Sequence, residues 1–217
     1  MLMIETEKLF EAIKNGERSK VEEMIAREPT IVSAKNKSGA TGILFALYAG
    51  RPELAELIAK RKPGLDIFEA ASLGRLSDIE ALIKENPSIV SEYSTEGFTA
   101  LQLAAYLGKG DTVDFLLRSG ADVNAIAKNP TGYTALTGAV ARGHESIAST
   151  LLEQGANPNH RYEGGFTPLM EAAASGSVDV TKLLLAHGAD RMILLNGKTA
   201  LDLALEKGRK ETAQLLR

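Results

Sequence analysis

Seven glycines recur at nearly equal intervals along the chain, and that spacing constrains the fold more than any other feature of the sequence. Gly16, Gly50, Gly74, Gly108, Gly143, Gly176 and Gly208 are separated by steps of 34, 24, 34, 35, 33 and 32 residues. The segments that end on them are alike: EKLFEAIKNG, TGILFALYAG, LDIFEAASLG, TALQLAAYLG, TALTGAVARG, TPLMEAAASG and TALDLALEKG. In the best-formed copy Leu101, Ala104 and Ala105 stand at i, i+3 and i+4, one narrow apolar stripe on a helix whose alanines let a neighbour approach closely. Gly108 ends that helix. Val113, Leu116 and Leu117 repeat the spacing on a second helix, and Gly120 offers the permissive backbone that a helix C-terminus prefers. Two helices of about ten residues cannot bury their apolar faces alone, so each unit needs a copy stacked on either side.

This pattern resembles the ankyrin repeat, in its period and in segments such as Thr167-Pro168-Leu169 that follow the family's T-P-L-H-x-A core. The resemblance covers residues 5 to 217 and implies one all-α solenoid of about seven helix-turn-helix repeats with projecting β-turn fingers. The expected single domain, 1–217, divides at about 5–37 (an N-terminal cap), 38–62 (shortened), 63–95, 96–128, 129–162, 163–195 and 196–217 (a C-terminal cap), the terminal units being more polar on their outer faces.

The departures from the pattern are informative. Thr41, Thr99, Thr134, Thr167 and Thr199 are placed to cap the first helices, their hydroxyls accepting from exposed backbone N–H groups. The histidine that the family carries after the leucine is replaced by Gln102, Thr137, Met170 and Asp202, which predicts weaker hydrogen bonding between repeats. Glu28-Pro29-Thr30 takes the place of a glycine exit, and Asn86-Pro87-Ser88 echoes it, as if a pair of repeats had been duplicated. The step of 24 is ten short of the one before it, so one finger is expected to be missing between the second and third repeats: either a tolerated deletion or, in a sharper reading, a notch that admits a partner.

Composition bounds the function. With 25 basic and 28 acidic residues the chain has no global attraction for nucleic acid or anionic membrane, and its one tight basic cluster, Lys60-Arg61-Lys62, sits at a turn. Zero cysteines remove disulfides, thiol chemistry and thiolate metal sites and are compatible with a cytoplasmic location. No signal peptide and no apolar run of membrane length is seen. His144, His160 and His187 fall at unrelated repeat positions, Gly108-Lys109-Gly110-Asp111-Thr112 lacks the spacing of a phosphate loop, and Ser175 and Ser177 lack a nucleophile elbow. No catalytic residue, cofactor or metal site is therefore expected.

What remains is surface. In the resembled family the residues just before each helix-separating glycine face the partner, which here implies Tyr48, Leu73, Tyr106, Leu107 and Arg142, the large apolar side chains concentrating in repeats two to four. Phe98, Tyr133 and Phe166 precede the capping threonines and belong at the finger tips, where stacking from repeat to repeat is the simpler role. The expectation is a monomeric, non-catalytic module that binds a protein partner, with no nucleic acid and no membrane involved. A regulatory subunit that masks an enzyme is the alternative within binding. A structural or engineered array without a natural ligand is the alternative outside it, although such unequal steps argue against an engineered consensus.

Overall fold

A computed structural model describes residues 2–217. Among them the chain forms fourteen α-helices arranged as seven antiparallel pairs. The first helices of the pairs are α1 (Leu2–Asn15), α3 (Gly42–Tyr48), α5 (Ile67–Leu73), α7 (Ala100–Tyr106), α9 (Ala135–Ala141), α11 (Pro168–Ser175) and α13 (Ala200–Glu206). The second helices are α2 (Arg18–Arg27), α4 (Pro52–Ala59), α6 (Leu76–Glu85), α8 (Gly110–Arg118), α10 (Glu145–Glu153), α12 (Val178–Ala186) and α14 (Lys210–Leu215). Each first helix packs on the next, which is how short alanine-rich helices bury their stripes. No strand forms among the described residues, and extended backbone pairs only as isolated bridges at finger bases, such as Lys35 with Thr41 and Tyr162 with Phe166.

Local chemistry sets the helix ends. The hydroxyls of Thr41, Thr99, Thr134, Thr167 and Thr199 accept from the backbone N–H three residues on, and Asp66 does the same work where the third pair has no threonine. The two proline exits both become 3-10 turns, Pro29–Ser33 and Pro87–Ser91. The glycines between paired helices all have positive φ, a conformation that side chains resist.

A regular contact not foreseen from the sequence lies beneath these glycines. The residue after each one crosses under the preceding glycine when it is long enough: Arg51 under Gly16, Lys109 under Gly74, His144 under Gly108 and Arg209 under Gly176, where an added Cβ would stand 2.7–3.5 Å from the crossing side chain. His144 Nε2 thereby donates to the Tyr106 carbonyl at 3.2 Å and Arg209 Nε to that of Ala174 at 3.2 Å. Ser177 is too short to reach Gly143. Arg75 turns away from Gly50 and pairs with Glu56 instead.

Arg75 departs from the rule where the finger is missing. From α4 the chain passes through Lys60–Asp66 directly into α5, and the apolar interior divides there: one cluster runs from Leu9 to Ile58, another from Ile67 to Leu216. Three things bridge the break. A small cluster joins Ala40 and Leu44 of the second pair to Leu103 of the fourth, with Phe45, Phe68 and Phe98 against it. The finger before α3 meets the finger before α7, Lys35 Nζ donating to Thr95 Oγ1 at 2.8 Å and Thr95 Oγ1 to the Gly39 carbonyl at 3.1 Å. At the junction itself Lys62 folds inward onto Glu69, which has no exposed surface, while Lys60 and Arg61 stay exposed. The sharper expectation of an open notch is thus corrected: fingers from either side close over the gap.

A fully buried carboxylate depends on its cation, because its Coulomb partner replaces lost hydration. Lys62→Met is expected to lower stability by about 3–5 kcal/mol in urea unfolding, and Lys62→Met/Glu69→Gln, which removes the orphaned charge but keeps the polar cap on α5, to recover most of the loss. Independent, additive losses would show that the pair does not hold the junction.

Candidate functional site on the first-helix face

Closing the gap brings side chains of the second and fourth pairs together. Tyr48 at the end of α3 meets Tyr106 at the end of α7, ring centroids 6.2 Å apart and planes at 84°, although a whole helix pair separates them in sequence. With Phe98, Gln102, Leu103, Thr131, Tyr133, Thr134 and Gly138 they line a cavity of about 290 Å³. Gly138 lies inside α9, where an added Cβ would stand 3.5 Å from Tyr106 Cβ, so glycine keeps the pocket floor low. Beyond Tyr133 the aromatic row continues: Tyr133 meets Tyr162 at 5.0 Å and 84°, and Tyr162 meets Phe166 at 6.5 Å.

Carboxylates edge this row. Tyr48 Oη donates to Glu96 Oε2 at 3.4 Å and Tyr162 Oη to Glu171 Oε2 at 3.4 Å, both long bonds, and Glu163 lies beside Tyr133. Desolvation pushes the Glu96 carboxyl up to about 7, only partly opposed by the Tyr48 hydroxyl and the charge of Lys35. Burial, reinforced by neighbouring carboxylates, also raises the hydroxyls of Tyr48, Tyr133 and Tyr162. Arg142, exposed at the end of α9, holds its guanidinium 5.1 Å from the centre of the Tyr106 ring.

Of the residues expected at a partner surface, the structure brings Tyr48, Phe98, Tyr106 and Tyr133 to one pocket, with Arg142 against it. Phe166 closes the far end of the aromatic row and packs against the main core. Leu73 is half-buried against the N-terminal core, and Leu107 is half-buried at the C-terminal end of α7. Neither lines the pocket. Glu96 was missed. Tyr162 is almost wholly buried and acts as the spacer between Tyr133 and Phe166. The C-terminal end is also less polar than its expected cap role requires, with Met192, Leu194 and Leu205 exposed.

The predicted weakening between repeats is corrected at Gln102. Its Nε2 donates to the carbonyls of Ala125 and Tyr133 at 2.7 and 3.0 Å while its Oε1 accepts from Thr99, so glutamine ties one repeat to the next finger. Thr137 and Asp202 serve only their own caps. Further links come from asparagines: Asn124 binds the Gly155 carbonyl and Asn157 N–H, and Asn159 binds Gly188 and Asp190 in the same way. The recurrence of Asn124 and Asn159 four residues after Gly120 and Gly155, 35 residues apart, was the available signal.

Nothing in this arrangement assembles an acid, a base and a nucleophile. His160 Nε2 lies 2.7 Å from the Gly132 carbonyl, a structural bond like that of His144. Among the described residues no group of three or more His, Cys, Asp or Glu side chains is placed to hold a metal ion, and no helix is long and apolar enough to cross a membrane.

Comparison with known proteins agrees with the stacked helix pairs. The family described as ankyrin repeats (3 copies) matches over residues 9–126, 67–162 and 160–217. Similar proteins include the target of rapamycin complex 2 subunit AVO2 of Saccharomyces cerevisiae, 30% identical over 68% of this chain and 35% of its own length. The human BCL-6 corepressor-like protein 1 is 40% identical over 50% of the chain and 6% of its length, and the Drosophila melanogaster ankyrin repeat and KH domain-containing protein mask is 42% identical over 38% and 2%. The chain thus matches about a third or less of the length of these relatives. Period, capping, stacking and this match together establish that the chain belongs to the ankyrin repeat family.

Proposed function

We propose that this protein binds a protein partner through its concave first-helix face, at the pocket walled by Tyr48, Phe98, Tyr106 and Tyr133. Ankyrin repeats are general protein-interaction modules, typically non-catalytic. The proposal adds the location. The observation that carries it is the pocket itself: a stack held together by helix packing has no need of an open, aromatic-walled cavity of about 290 Å³. Exposed aromatic side chains at the rim of such a depression are the usual anchors of an interface. The finger-tip aromatic Phe166 and the neighbouring Leu73, Leu107 and Arg142 are assigned to its surroundings, framing the contact.

The same reading takes residues 1–217 as one domain of seven repeats, at the boundaries read from the sequence, working as a cytoplasmic monomer. Relatives named as a complex subunit and as a corepressor-like protein fit a role exercised through partners.

Glu96 supports a surface shaped for binding at some expense of stability. Its carboxyl, ordinarily near 4.5, is pushed to about 7 in the folded chain, so between those values the native state keeps a proton that the unfolded chain has released. Stability therefore falls as pH rises through that window. Because the group is half exposed, solvent screening reduces the effect to about 1–2 kcal/mol.

Two measurements follow. In urea unfolding, Glu96→Gln is expected to match the wild type near pH 4.5 and exceed it by about 1–2 kcal/mol at pH 8; parallel pH profiles would contradict the account. In affinity capture from the source lysate, a Tyr48→Ala/Tyr133→Ala variant whose circular dichroism is native is expected to lose the proteins that the wild type retains, at least tenfold. A variant on the outer helices, Glu80→Ala/Asp114→Ala, should keep them. The reverse pattern would move the site to the outer face.

A further inference from the structure

We propose that the pocket seats the ammonium end of a lysine side chain carried by a basic segment of the partner. This rests on the concave-face reading above and narrows it to one ligand chemistry. The walls supply the first argument. Tyr48 and Tyr106 meet nearly at right angles, so their rings make a corner of the pocket rather than a flat-sided slot. Ring faces carry partial negative charge and attract cations, and a compact ammonium fits a corner, whereas a planar guanidinium spreads over a single face. The chain's own Arg142 does the latter on Tyr106, which shows that this ring already serves as a cation seat. Phe98, Leu103 and the floor at Gly138 offer an apolar path for a lysine's methylenes.

Charge supplies the second argument. Glu96, Glu163 and Glu171 flank the aromatic row, and among the described residues none of them is in an ion pair with a lysine or arginine. Lys35, whose charge is felt at Glu96, gives its ammonium to Thr95 instead. A half-buried carboxylate normally has a cationic partner, because desolvating it otherwise costs free energy. An incoming lysine would provide that partner. An apolar side chain of the same size would cover the rings but desolvate Glu96 further and leave it unpaired. Burial raises the Glu96 carboxyl, and a cation brought beside it would oppose that rise.

The test uses the intact chain and two capped tripeptides, acetyl-Gly-Lys-Gly-amide and its norleucine analogue, titrated at pH 8 while the tyrosine ring resonances are followed by NMR. The lysine peptide is expected to shift Tyr48, Tyr106 and Tyr133, and the norleucine peptide to bind about tenfold more weakly or worse. Glu96→Gln should weaken the lysine peptide about fivefold, and Arg142→Ala, by removing a like charge, should tighten it. Equal binding of both peptides, no response to Glu96→Gln, or shifts confined to other residues would overturn the lysine assignment. Each of those results leaves the concave-face reading to be decided separately by the capture experiment.

Discussion

Two fingers that are not neighbours in sequence meet on this protein, and the aromatic pocket depends on their meeting. In a regular array each finger touches only the next, and each first helix presents its end to the adjacent one. Here the loop after α4 is so short that the finger before α3 lies against the finger before α7, through Lys35, Gly39 and Thr95. That contact sets Tyr48 against Tyr106 and carries Glu96 to the Tyr48 hydroxyl. The interior records the same event, since the core divides at the deletion and is rejoined by the Ala40, Leu44 and Leu103 cluster and the Lys62–Glu69 pair.

Shortening the chain by one finger therefore does not open the stack; it moves chemistry. A finger in the regular place would separate the second and fourth repeats, and Tyr48 would face Ser72 and Leu73, the corresponding pair of the third repeat. Ser72 is instead fully buried and Leu73 packs against the N-terminal core. A deletion that would cost packing in a globular domain is tolerated here because each helix pair needs only its neighbours, and because side chains from flanking fingers can cover the exposed edge.

Most of the architecture was legible in the sequence because it is written locally and repeatedly. Five threonines mark five helix starts by a hydrogen bond that spans three residues, and the glycines mark the turns between helices by a backbone conformation that needs no partner. The site was legible only in part. Tyr48, Tyr106, Phe98 and Tyr133 could be named from their repeat positions, but their convergence follows from how a short loop tilts two fingers together, which no local pattern encodes. Leu73 was placed on the face by counting back from Gly74, and it lies half-buried against the N-terminal core, outside the pocket. Glu96 was illegible for another reason: one acid on a finger looks like solvent-facing charge until the ring above it is known. Gln102 was read as the loss of a histidine because its reach to Ala125 and Tyr133 depends on the position of the next finger.

The contact between Tyr48 and Tyr106 is the consequence of the deletion on which the rest of the site depends, and a double-mutant cycle measures it directly. The cycle requires the wild type, Tyr48→Ala, Tyr106→Ala and the double variant, unfolded in urea under one set of conditions. An edge-to-face ring pair predicts a coupling of about 0.5–1.5 kcal/mol between two residues that a regular array would keep a full repeat apart. A cycle that closes to zero within error would contradict the account, because the second and fourth repeats would then not meet at these rings.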